Sequence, residues 1–150
     1  MKRHNSRILA MMTLYQHDLI DHSKMKDILE EDKINAIDTY NEIHGTDNEV
    51  EYDETFYYSL VKGVLAHIEE LDDMISKNLV KWTIDRLSFV DKAILRLATY
   101  EMMYTSTPKQ IIINEAIDIT GDYVDTEDFP AKKFNNRVLD NIKESLNGRQ

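Results

Sequence analysis

Apolar residues recur at intervals of three and four along most of the chain, the period of an α-helix. The clearest run is Ser88 to Tyr104. There Val90, Ala93, Ile94, Leu97, Ala98, Met102 and Tyr104 keep near-helical spacing, and Phe89 and Leu95 add apolar area off that stripe. A helix that is apolar most of the way round is buried by several neighbours. This stretch therefore reads as the central helix of an all-helical domain. A short turn from Trp82 to Leu87 precedes it; Trp82 reads as a core plug, with base stacking as the alternative.

The remaining elements follow from stripes and punctuation. Asn5 or Ser6 is expected to cap a first helix reaching Leu19 or Ile20, with Ile8, Met11, Met12, Leu14 and Tyr15 on its apolar face. Ser23–His44 reads as one or two amphipathic helices carrying Met25, Ile28, Leu29, Ile34, Ile37 and Tyr40. Glu30–Asp32 is the expected weak point between them, and Gly45 the stop. Asp53 is placed to cap a long helix from Glu54 to about Leu79, striped by Phe56, Leu60, Val64, Ile68, Leu71 and Ile75. Gly63 inside it costs ~1 kcal/mol relative to Ala and suggests close packing. Thr107 and Pro108 start a further helix, with Ile111, Ile112, Ile113, Ala116 and Ile117, ending at Ile119 or Tyr123. Residues 121–129 read as a loop. Pro130 opens a last helix with Phe134, Val138, Leu139, Ile142 and Leu146, closed by Gly148. The pattern predicts an all-α fold, a compact bundle of six to seven helices.

Composition sharpens this picture. A chain of 150 residues, 42% of them hydrophobic, is expected to form one domain (1–150) with a real core. Four Gly and two Pro supply little material for tight β-turns. With no Cys there is no disulfide, thiolate zinc site or cysteine nucleophile, which suits the cytoplasm. No apolar run approaches the ~20 residues of a membrane span. The basic start lacks a following small-residue cleavage site, so no signal peptide is expected.

The net charge of −10 argues, taken alone, against nucleic acid. Its distribution matters more. Residues 1–7 hold Lys2, Arg3 and Arg7 and no acid; residues 8–56 carry three Lys against thirteen acids; residues 57–150 carry twelve bases against fifteen acids. The extreme N-terminus is thus a basic island. By itself it reads as a frayed, charged terminus; because cations there oppose the helix dipole and do not help the helix, a ligand role is the alternative.

Little else suggests chemistry. The five His, at 4, 17, 22, 44 and 67, include no i,i+4 pair for a metal. Phosphate loops, dinucleotide glycine fingerprints and nucleophile elbows are missing. Asp47, Glu49, Glu51 and Asp53 alternate like a calcium loop but lack its mid-loop glycine and terminal glutamate, so they read as a solvated acidic loop. The expectation is a protein that is not an enzyme and needs no cofactor. Arg96, Glu101, Asn114 and Glu115 sit on strongly apolar helices, where a buried charge needs a partner. Arg96 is expected to bridge a carboxylate such as Glu115.

Several blocks in order resemble the NusB transcription antitermination family. Arg86, Val90, Asp91, Lys92, Ala93, Ile94, Leu95, Arg96, Leu97, Ala98, Tyr100 and Glu101 match its central-helix signature. Arg7–Gln16, Val61–Asp72, Ile113–Asp118 and the block with Lys133, Phe134, Asn136, Val138, Leu139 and Asp140 match further segments. There are departures. Asn135 stands where the family usually has Val, Arg137 where it has Gly, and Met12 where Gln is frequent. The Lys that usually follows the Asn-Glu-Ala-Ile block is missing here.

The resemblance implies a factor that binds boxA RNA together with NusE, a small-subunit ribosomal protein. The complex would join elongating RNA polymerase with other Nus factors and suppress termination in ribosomal RNA operons. By position it assigns RNA binding to Lys2, Arg3, Arg7, Tyr15 and Phe134, although Phe134 alone reads as core. It assigns the NusE surface to Asp91 and Arg86. It admits a homodimer and no membrane. The competing reading is an acidic helical adaptor that binds only proteins.

Overall fold

The computed structural model describes residues 1–20, 30–46, 49–81, 83–124 and 130–148. These residues form seven α-helices and one 3₁₀ turn, with no strand among them: α1 (Lys2–Leu19), α2 (Glu30–His44), α3 (Glu54–Ala66), α4 (Ile68–Lys77), the 3₁₀ turn Ile84–Arg86, α5 (Phe89–Tyr104), α6 (Lys109–Tyr123) and α7 (Ala131–Asn147). None is long and apolar enough to cross a membrane. The helices group into two compact units, Met1–Ala66 and His67–Gln150.

In the first unit α1 packs on α2 and α3. It starts at Lys2, ahead of the expected cap at Asn5 or Ser6, and Met1 offers it no side-chain bond. Ser6 has another task. Its hydroxyl accepts the Asp53 N–H at 2.8 Å and lies 2.8 Å and 3.0 Å from the carbonyls of Asp53 and Lys2. Asp53 caps α3 as expected, Oδ1 accepting the Phe56 N–H at 3.0 Å. Deeper in, the hydroxyls of Thr13 and Tyr57 are hydrogen-bonded at 2.7 Å.

Glu30–Asp32, expected as a weak point, are helical and form the first described turn of α2. Met25, Ile28 and Leu29 lie outside the described residues. Of the remaining stripe, Ile34 is 48% exposed, and the buried positions of α2 are Ala36 and Lys33. Lys33 tolerates burial because Nζ pairs with Glu30 Oε1 at 2.7 Å and Glu54 Oε2 at 2.8 Å. Gly45, at φ +63°, ends the helix; the Thr46 N–H reaches the Asn41 carbonyl at 3.0 Å and the Gly45 N–H that of Glu42 at 3.4 Å. This is a Schellman closure, which needs a left-handed residue at that position.

The long helix expected from Glu54 to Leu79 is two helices. The backbone leaves helical geometry at His67, with φ −122° and ψ 20°, between α3 and α4. The stripe survives the break: Phe56, Leu60, Val64, Leu71 and Ile75 are all buried.

In the second unit α5 packs against α4, α6 and α7, the central position its composition predicts. Ser88 caps it, accepting the Asp91 N–H at 3.0 Å. Trp82 lies outside the described residues. Arg96 finds a carboxylate on α4: Nε and Nη2 donate to the two oxygens of Asp72 at 2.7 Å and 2.9 Å. Pro108 sits at the cap of α6 rather than in its first turn. The helix continues to Tyr123, so positions 121–123 of the expected loop are helical, and 125–129 lie outside the described residues. The Gly148 N–H closes α7 on the Glu144 carbonyl at 2.9 Å.

Candidate nucleic-acid and partner interface

The basic island is held in place by the start of α3. Lys2 and Arg3 are exposed in the first turn of α1, which contains no acid. The Arg3 guanidinium lies 4.4 Å from the centroid of the Phe56 ring and that of Arg7 5.1 Å from it. Each such contact is worth ~0.5–1 kcal/mol at an exposed site and more when desolvated. Phe56 is fixed by the Asp53 cap, and Asp53 by Ser6; the Asn5 side-chain amide adds a bond to the Glu51 carbonyl at 2.8 Å. Arg7 is only 7% exposed. Of the expected RNA residues here, Lys2 and Arg3 present cations at the surface, Arg7 lies largely beneath it, and Tyr15 is half-buried. Sequence patterning read Phe56 as plain core. The spacing of Ser6 and Asp53 gave no sign that its ring would carry the arginines.

The other expected residues lie in the second unit. Phe134 is half-buried on α7 and lines a pocket of about 260 Å³ with Asn78, Lys81 and Arg137. Arg86 is exposed at the end of the 3₁₀ turn, its N–H bonded to the Thr83 carbonyl at 3.0 Å.

Asp91, expected on the NusE surface, is 3% exposed. Oδ2 accepts from the Ser88 hydroxyl at 2.8 Å, and Oδ1 accepts from the Asn135 amide at 3.1 Å. Asn135, fully buried, also reaches the Thr120 hydroxyl at 3.2 Å. Asp91 thus joins α5, α6 and α7 around a buried polar node. Asn135 was legible only as a departure from a family pattern. Its role depends on neighbours far away in sequence.

Shifted ionisations elsewhere are structural. Hydrogen bonds donated to Glu30 and Glu54 hold the Lys33 ammonium charged well beyond its usual range, and the bond that Glu30 accepts from Lys33 lowers Glu30. Burial pushes the Tyr57 phenol up. Among the described residues no cluster of carboxylates and imidazoles is set to hold a metal.

The family model described as NusB family matches residues 4–144. The chain belongs to the NusB family. It is 40% identical to the transcription antitermination protein NusB of Bacillus subtilis (strain 168), over 97% of this chain and 98% of that protein. Among solved structures it resembles T. maritima NusB, with 30% identity, a TM-score of 0.72 and coverage of 96% and 92% of the two chains. It also resembles a chain in the crystal structure of the antitermination factors NusB and NusE in complex with dsRNA, at 26% identity, TM-score 0.71 and 95% and 96% coverage. NusB proteins are transcription antitermination factors, not enzymes. In this NusB-family chain the signature motif runs the length of α5, and its acid, Asp91, is the one drawn into the buried node.

Proposed function

We propose that this chain is an RNA-binding transcription antitermination factor of the cytoplasm. It takes boxA RNA together with NusE, joins the RNA polymerase elongation complex, and suppresses termination in ribosomal RNA operons. The observation that carries this reading is the nearly full-length likeness to a chain in a NusB–NusE–dsRNA complex. The basic first turn of α1, seated on Phe56, supports it with a local cationic surface on an acidic protein.

In this reading Lys2 and Arg3 meet phosphates directly, Arg7 braces Phe56 and adds field from beneath, and Tyr15 and Phe134 offer rings to unpaired bases. Arg86 faces NusE, with Asp91 shaping the start of α5 behind it. The test is fluorescence anisotropy of labelled boxA RNA, with and without NusE, beside a scrambled RNA. Selective binding that NusE tightens, and that Arg3→Ala/Arg7→Ala weakens, is the expected result. No selective binding even with NusE present would sink the RNA assignment, leaving an adaptor that binds only proteins.

A further inference from the structure

We infer that Phe56 is a positioning residue for RNA: without touching the ligand, its ring holds the Arg3 guanidinium ready for a phosphate and leaves the charge and the N–H edge of that group unspent. The inference rests on the RNA-binding reading above and adds to it a residue on another helix.

Arg3 and Arg7 stand four residues apart on α1, where like charges repel. Both guanidinium groups nevertheless lie over one ring, at 4.4 Å and 5.1 Å from the Phe56 centroid. The ring attracts both cations through its face and so offsets their repulsion. A carboxylate in its place would also gather them, but it would neutralise charge and take up donors. A ring does neither. A guanidinium stacks by its flat face, while its five donors point outward in the plane, the arrangement that meets a phosphate edge-on.

The choice of a ring matters in this stretch of chain. Residues 8–56 carry thirteen acids. The two acids just ahead of Phe56 are engaged: Asp53 Oδ1 accepts the Phe56 N–H at 3.0 Å, and Glu54 Oε2 accepts from Lys33 at 2.8 Å. The ring itself is 9% exposed and so has a fixed setting, while Arg3 is exposed above it. Two further bonds join the seat to the basic turn, from the Asp53 N–H to the Ser6 hydroxyl at 2.8 Å and from the Asn5 amide to the Glu51 carbonyl at 2.8 Å. A long surface cation free to wander must be ordered when it binds; one already resting on a ring has less freedom to lose.

The experiment measures anisotropy of labelled boxA RNA with the full chain and NusE across a salt series. The unsubstituted chain is compared with Phe56→Leu, Phe56→Tyr, Arg3→Ala and Arg3→Ala/Phe56→Leu, with urea midpoints taken beside them. Phe56→Leu keeps an apolar side chain but no ring. It should weaken binding about two- to tenfold, the cost of ordering one long side chain, and leave the salt slope unchanged because every cation remains. Arg3→Ala should instead lower the slope by about 0.7, one single-strand phosphate contact. Phe56→Tyr should restore what Phe56→Leu loses. In the Arg3→Ala background Phe56→Leu should cost much less, since a residue that acts through Arg3 has nothing left to position. Arg3→Lys lies at the surface and leaves the core untouched; it keeps the charge but gives up the stacked fork, and should also weaken binding. If Phe56→Leu binds as tightly as the unsubstituted chain, if its cost is the same with and without Arg3, or if Arg3→Lys costs nothing, the positioning role is wrong and the RNA reading stands. If the unsubstituted chain binds no RNA with NusE present, the RNA reading fails and this inference falls with it.

Discussion

Asn135 shows how a single residue is judged by its surroundings rather than its type. A buried amide in place of an apolar residue looks unfavourable, yet its nitrogen serves both Asp91 and Thr120. Its oxygen is buried without a partner, which offsets part of that gain. Asn135→Val removes the unsatisfied oxygen but deprives a buried carboxylate of a donor. The second effect is larger, because a charged acceptor loses more than a neutral one gains. A loss of about 1–3 kcal/mol is expected, read as a lower urea midpoint with an unchanged m-value.

Lys33 makes a prediction in pH. Its folded pKa is raised, so its contribution is complete below the ordinary lysine value of 10.5 and is lost as pH climbs through the folded value. Glu30 is lowered, so its contribution is present above its ordinary 4.5 and lost as pH falls through its folded value. Lys33→Met should therefore lower the urea midpoint most in the neutral window. It should also flatten the fall at both edges; equal slopes for the two proteins would count against the triad.

At the scale of elements, helix ends follow local rules. Gly45→Ala meets no atom within 4 Å of the added Cβ, so its cost is purely the left-handed backbone at φ +63°, about 1–2 kcal/mol. Ser88→Ala removes both the cap of α5 and a donor to Asp91. It should cost at least the ~1 kcal/mol of an ordinary cap, visible in thermal unfolding. The break at His67 obeys no local rule. The stripe through α3 and α4 runs across it, and no Pro or Gly marks it. What accompanies it is tertiary: the His67 ring stacks on Tyr104 at 4.3 Å, and the Tyr104 hydroxyl donates to Glu70 at 2.6 Å.

For the molecule as a whole, net charge and local charge pull in opposite directions. At −10 the chain repels RNA at long range, and the few cations of the first turn of α1 reach only about a Debye length, ~8 Å at physiological salt. Binding by this chain alone is therefore expected to be weak and to fall steeply with salt, while NusE, as a basic partner, should raise it and shallow the dependence. An affinity insensitive to salt would contradict this account.

The sequence by itself determined the all-helical class, the central place of α5, the caps at Asp53 and Gly45 and the family. All of these rest on spacings within a few turns or on motifs that keep their order. Tertiary structure decided who meets whom. Arg96 took Asp72, 24 residues away, and Asp91 took Asn135, 44 away, which turned an expected surface acid inward. Phe56 became the seat of Arg3 and Arg7, and Phe134 the wall of a cationic pocket. Helical periodicity fixes which face a residue occupies, but a charge chooses its partner across space, and no one-dimensional spacing carries that choice.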